Sequence, residues 1–222
     1  MADAILLDED ALAARGFAML SRAMRIFVAL DLDPAIRQRI EDFVQKIRDL
    51  VPDARWVSGE SLHVTLKFIG EEPDAAVSRI EASLQSIHVE PFQLRFSGTG
   101  FFPTPQAARV HWVGIHADKA LGQLARTINE SLAKIGIAKE GRAFNPHLTL
   151  ARARGGSGSP GQHKGDKPNR QFEKLQEFLA THPAPDFGTM TAREFFLYKS
   201  QLSNTGSQYT KIARFELQPA TT

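Results

Sequence analysis

Apolar and polar residues recur along this chain in two periods, and the switches between them mark its elements. Alternation across residues 25–32, with Ile26, Phe27, Val28 and Leu30 apolar, predicts a strand. Asp33-Pro34 then opens a helix, with Asp33 as N-cap and Pro34 at the first position. Its apolar stripe is Ile36, Ile40, Phe43, Val44, Ile47 and Leu50, at helical spacing. A short strand at 55–57 precedes a longer one, in which Leu62, Val64, Leu66 and Phe68 alternate with His63, Thr65 and Lys67. Glu71-Glu72-Pro73 starts a second helix, with Val77, Ile80, Leu84 and Ile87 inward. Strands near 92–101 and 107–116 flank a Pro103-Thr104-Pro105 turn. A third helix over 119–135 buries Leu121, Leu124, Ile128, Leu132 and Ile135, and Gly136 closes it. A strand carrying His147-Leu148-Thr149-Leu150 follows, then a helix around 172–181 and strands over 192–202 and 209–217, joined at Ser203-Asn204-Thr205-Gly206. Strand–helix–strand units in both halves predict an α+β fold of two pseudo-equivalent lobes, with antiparallel sheets and helices outside.

The two lobes are expected to share residues 24–222 as one domain. At 222 residues the chain can bury a proper core. Residues 1–23 read as a dispensable leader: the apolar run Ala4-Ile5-Leu6-Leu7 is short, and Asp3, Asp8, Glu9 and Asp10 replace the basic region of a secretory signal. No apolar run approaches the ~18 residues that span a bilayer, so a cytoplasmic protein with no membrane partner is expected. The Gly-Ser-rich stretch after Arg154 reads as a flexible surface loop over 155–169. With no cysteine, a disulfide framework, a thiolate zinc site and a cysteine nucleophile are excluded. A formal net charge of +2 offers no global attraction to nucleic acid, so any basic patch is local.

The chemistry lies in the two H-x-T-L stretches. On a strand, residues two apart share a face, so His63 and Thr65 form one polar stripe and His147 and Thr149 another. A lone histidine on a strand face is ordinarily structural, and His88, His111, His116, His163 and His182 lack the motif and read that way. Duplication changes the reading for His63 and His147, which are expected on opposite walls of one cleft. Such a pair suits hydrolysis of a cyclic phosphodiester, where attack at phosphorus needs a base beside the water and an acid beside the departing oxygen. Imidazole performs either task near neutral pH. Thr65 and Thr149 would bond the non-bridging oxygens, and Arg152 would clamp them. Neither motif sets a carboxylate near its histidine and there is no H-E-x-x-H, so neither a metal nor another cofactor is expected. Ser58 and Ser61 lack a G-x-S-x-G setting.

The paired motifs resemble the two-histidine phosphoesterase superfamily. Four stretches are similar to its RNA 2′,3′-cyclic phosphodiesterase branch, also called 2′-5′ RNA ligase: Met24-Arg25-Ile26-Phe27-Val28-Ala29-Leu30; Arg55-Trp56-Val57 with His63 to Glu71; Pro146 to Arg152; and Leu197-Tyr198-Lys199-Ser200 with Tyr209-Thr210. The resemblance implies a bilobal fold around a central cleft, hydrolysis of cyclic phosphate ends to 2′-phosphates, and reversible ligation. It makes His63 the acid on the leaving O3′, His147 the base, and Thr65, Thr149 and Arg152 the phosphate ligands. RNA with cyclic phosphate ends is the implied partner, and a monomer is expected. The same histidines would serve a small cyclic nucleotide or ADP-ribose cyclic phosphate, and a non-catalytic RNA-end-binding module is the reading from another class. The leader, and Lys199 where an acidic residue is common, depart from the family pattern; Lys199 bears on how RNA is held. Arg154, Lys164, Lys167 and Arg170 are candidate contacts to an RNA backbone, and Phe101 and Phe102 read as core before base platforms.

Overall fold

The computed structural model describes residues 23–154, 168–203 and 206–219. The expected leader, apart from Ala23, and nearly all of the expected loop, with Lys164 and Lys167, lie outside these residues. Two antiparallel sheets form the walls of the two lobes. The first has the order β3-β1-β8-β9, from β1 (Ala23–Leu30), β3 (Val64–Pro73), β8 (Glu194–Ser203) and β9 (Gly206–Glu216). The second has the order β2-β6-β5-β4-β7, from β2 (Arg55–Trp56), β4 (Phe92–Phe102), β5 (Val110–Ala117), β6 (His147–Arg152) and β7 (Asp186–Ala192). After the 155–167 segment the chain returns to both sheets, so neither wall is a contiguous piece of sequence.

Strand β1 lies inside its sheet and is buried from Ile26 to Leu30. One face, Ile26, Val28 and Leu30, enters the main core; the other, Phe27 and Ala29, lies with Phe196 and Tyr198 in an aromatic layer. Helix α1 (Pro34–Ile47) starts where Asp33 accepts a 2.8 Å bond from Ala35 N, with Pro34 in the first turn. Helices α1, α2 (Asp74–Gln85) and α3 (Lys119–Lys134) turn Ile36, Ile40, Ile80, Leu84, Leu121, Leu124 and Ile128 into one core that also takes side chains from both sheets. Gly136, at φ +92°, ends α3 in a conformation that suits glycine. Helix α4 (Glu173–Ala180) covers a smaller cluster of Phe172, Leu175, Ala108 and Ala151. No helix among the described residues is long and apolar enough to cross a membrane.

The expected helices and strands form, with three corrections; Asn204 and Thr205 of the expected turn lie outside the described residues. Helix α2 starts at Asp74, because Glu71, Glu72 and Pro73 remain in β3 opposite Arg25, Met24 and Ala23. Strand β7 was not expected: it is a short edge strand broken by Gly188, with little alternation to mark it. The third concerns the first motif strand, whose alternation does not run through to Phe68. Ala29 pairs with Thr65 and Val28 with Lys67, so Leu66 is the extra residue of a β-bulge. Both Leu66 and Lys67 then point inward, and Phe68 turns out to 54% exposure. Lys67 is only 4% exposed, and it donates to Asn129 Oδ1 at 2.8 Å and to the Ala138 carbonyl at 2.7 Å. The bulge thereby ties the first motif strand to the segment leading into the second. Lys67→Met leaves the Ala138 carbonyl without this donor and is expected to cost about 1–3 kcal/mol. Urea unfolding at an unchanged m-value measures it, and an equal or higher midpoint would refute the tie.

Candidate active site

Each motif histidine is held by its own main chain. The ring Nδ1 of His63 bonds the Ser61 carbonyl at 2.8 Å, and that of His147 bonds the Asn145 carbonyl at 2.8 Å. A carbonyl only accepts, so both rings carry a proton on Nδ1 and present Nε2 away from the backbone. The carbonyl stands two residues before the histidine in both copies. His63 sits one residue before β3, after a short 3-10 turn (Gly59–Ser61), whereas His147 opens β6. Arg37 on α1 donates to the Gly59 carbonyl and, at 2.5 Å, to Asp31, which also receives Lys211 at 2.5 Å. Burial alone would raise the Asp31 carboxyl, but Lys211, the Leu32 N–H and Arg37 outweigh it and hold it low. This network fixes the turn that supplies the carbonyl of Ser61.

The second motif carries the same bulge as the first. Trp112 pairs with Thr149 and His111 with Ala151, leaving Leu150 as the extra residue. Leu150 and Ala151 are both buried. Arg152 consequently returns to the face of His147 and Thr149. On a regular strand, three residues from Thr149, it would point the other way. Phe68 occupies the corresponding place in the first copy.

The charges identify the shared space. Burial first, then the nearby Arg152 cation and His147, outweigh the Ser61 bond and Asp31 and bring the His63 imidazole down to about 4. His147 is also lowered, by burial first and by Arg152. Both histidines therefore feel Arg152, and His63 feels His147. Arg152 is itself lowered by burial, countered by Tyr209, with Arg55 adding repulsion. Thr65 and Thr149 are partly buried on the same faces as their histidines. Among the described residues, no three or more His, Asp or Glu side chains gather into a metal-binding group.

Two profiles match this chain: that of the 2′-5′ RNA ligase superfamily over residues 33–157, and that of LigT like phosphoesterases over 113–209. The chain belongs to the 2′-5′ RNA ligase superfamily. Among its relatives, the RNA 2′,3′-cyclic phosphodiesterase of Archaeoglobus fulgidus is 31% identical over 193 residues, 87% of this chain and 100% of that protein. The enzyme of that name from Escherichia coli is 28% identical over 89% of this chain and 99% of its own. The crystal structure of E. coli LigT complexed with 3′-AMP superimposes with a TM-score of 0.68 at 26% identity, covering 88% of this chain and 99% of that one. A Thermus thermophilus structure gives 0.70 at 25% identity, over 89% and 100%.

In this superfamily member the geometry adds a residue for which motif spacing assigned no part. Tyr209 meets the His63 ring edge-on at 5.0 Å between centroids and is electrostatically coupled to Arg152. It comes from β9, at the far end of the chain, so only folding brings it near the motifs. Phe27 packs against His63 at 4.8 Å and Phe102 edge-on against His147 at 5.0 Å. Phe101 turns instead toward His111 and Phe172. Lys199 pairs with Ile26 and lies on that face of β1 and β8, away from Phe27 and Tyr198, so it does not line the His63 wall. Arg154 makes an exposed pair with Asp53 at 3.8 Å. His111 is fully buried with neither ring nitrogen bonded by protein, and burial lowers it to about 3.

His63 and His111 both stay neutral in the fold at pH values where the unfolded chain, near 6.5, already binds protons. Stability is therefore lost as pH falls from about 6.5, down to about 4 for His63 and about 3 for His111. The slope is up to about 1.4 kcal/mol per pH unit for each imidazole. Urea midpoints from pH 7 to 4 will show the decline, and His111→Leu will shallow it. A flat wild-type profile would count against the burial described here.

Proposed function

We propose that this protein hydrolyses RNA 2′,3′-cyclic phosphate ends to 2′-phosphates, with His63 and His147 as a paired acid and base. The observation that carries this reading is the matched pair itself: two imidazoles, each locked through Nδ1 to a carbonyl two residues back, both in the field of Arg152. Relatives spanning most of the chain bear the name of this activity.

In this scheme the Thr65 and Thr149 hydroxyls donate to the non-bridging oxygens and Arg152 neutralises them. His147 takes a proton from water on Nε2 as the oxygen attacks phosphorus. The P–O3′ bond breaks on the opposite side, and His63 gives its Nε2 proton to O3′. The free site disfavours a charged His63, because burial and Arg152 both oppose it. An arriving phosphate anion reverses the Arg152 contribution and lets the imidazole take up the proton it later delivers. Run with a 5′-hydroxyl in place of water, the same steps join two RNA ends through a 2′-5′ linkage. No cofactor and no second subunit enters the scheme, and we place the enzyme in the cytoplasm on the sequence reading above.

His63→Ala and His147→Ala are each expected to lower turnover of a cyclic-phosphate-ended oligonucleotide by about 10²–10⁴-fold. The double variant should be little worse than either single one, because the two groups act as a unit. A folded single variant with near wild-type turnover would remove that histidine from the mechanism.

The product identifies the bond that breaks. Phosphorus NMR of the reaction is expected to show only 2′-phosphate with a free 3′-hydroxyl. A mixture of isomers would mean that the site does not fix the ring, and pure 3′-phosphate would mean that the ring binds in the reversed pose. Equal turnover of a mononucleoside cyclic phosphate would shift the substrate class to small cyclic nucleotides.

A further inference from the structure

On the His147 side of the cleft, aromatic side chains are stacked in a way the hydrolytic scheme does not use. Trp112 stands directly opposite Thr149 on β5, and opposite Gly100 of β4 on its other side. Its indole leans over Gly100: a Cβ there would fall 2.3 Å from Cζ2 and 2.5 Å from Cη2. The ring therefore lies on bare backbone, one strand away from the phosphate-binding hydroxyl. Phe102 packs on it at 5.0 Å and 31°, and the same phenyl ring meets His147 edge-on at 5.0 Å. Both aromatics are partly exposed on the cleft face, although the Trp112 Nε1–H edge is itself buried and finds no acceptor in the protein.

We propose that Trp112 and Phe102 form a second nucleoside subsite, which receives the base of the RNA end whose 5′-hydroxyl attacks the cyclic phosphate. The inference rests on the reading of the site given above. There His147 activates the incoming oxygen, so whatever carries that oxygen must lie on the His147 side. Water carries nothing, but a 5′-hydroxyl brings a ribose and a base. An aromatic face beside the activating histidine is where that base is held, since every base stacks on a π surface. In joining, the 5′-oxygen forms a bond to phosphorus while its proton goes to His147. The P–O3′ bond breaks and O3′ receives the His63 proton, leaving a 2′-5′ linkage and a free 3′-hydroxyl. The reverse reaction, cleavage of a 2′-5′ linkage to a cyclic phosphate and a 5′-hydroxyl, uses the same subsite. Hydrolysis of the cyclic end does not.

The test partitions one substrate between two fates. Given an oligonucleotide with a cyclic phosphate end and a second with a 5′-hydroxyl, the wild-type enzyme yields 2′-phosphate and 2′-5′-joined product. Trp112→Leu is expected to lower the ratio of joined to hydrolysed product by about 5- to 100-fold, the usual worth of one stacked base. An unchanged ratio overturns the subsite. So does a parallel fall in both products, which would make Trp112 a support for Thr149 alone. A second measurement does not depend on the variant folding. Adenosine, added to wild-type enzyme with a nucleoside 2′-phosphate present, should quench tryptophan fluorescence with saturation, and absence of quenching refutes the proposal. Failure of the wild-type enzyme to hydrolyse any cyclic end is a different result: it brings down the reading of the site, and this inference with it.

Discussion

An extra residue in each motif strand governs the geometry of the whole cleft. A regular strand offers one choice per residue, in or out, and a run of H-x-T-L-x-x would send its sixth side chain into the core. The bulges at Leu66 and Leu150 spend two consecutive residues on the inside and so restore the sixth to the cleft. In the second copy that position is Arg152, and a guanidinium joins the histidine and threonine on one surface. In the first it is Phe68, an exposed ring. The duplicated device thus gives two walls with the same histidine–threonine stripe and different sixth residues.

The same irregularity links the two motif strands. Lys67 is turned inward by the first bulge, and its ammonium reaches Asn129 on α3, which packs on β3, and the Ala138 carbonyl. Asn129 in turn accepts from Glu140 N. The loop that ends in Asn145 and His147 is therefore anchored from the first motif strand, while the turn before His63 is anchored from α1 through Arg37. Each histidine has a supported approach, and the supports differ although the final bond is the same.

These features were unequally visible in the amino-acid sequence. Amphipathic helices and the polar stripes were legible, because periods of 3.6 and 2 survive in the order of residue types. Asp33-Pro34 and Gly136 marked helix ends through backbone chemistry that belongs to those residues alone. The bulges were not legible: two residues facing one is a property of pairing between strands, and alternation along a single strand carries no trace of it. That is why Lys67 and Phe68 came out reversed, and why nothing in its spacing explained how Arg152 reaches the cleft. Strand β7 was invisible for another reason, since an edge strand interrupted by glycine buries too few side chains to show a period. Tyr209 reaches His63 and Arg152 only through the order of strands in the first sheet, a relation of topology and not of motif.

The bonds from each Nδ1 to a main-chain carbonyl have a consequence for how such a site endures change. In many enzymes a catalytic imidazole is oriented by a carboxylate, and losing that one side chain silences the enzyme. Here the orienting group belongs to the peptide backbone, which every residue supplies, so Ser61 and Asn145 are free to drift in side-chain identity as long as the local trace of the chain is kept. A carbonyl also has no proton to gain or lose. The bond that orients each ring therefore does not itself titrate, whatever other charges the ring feels.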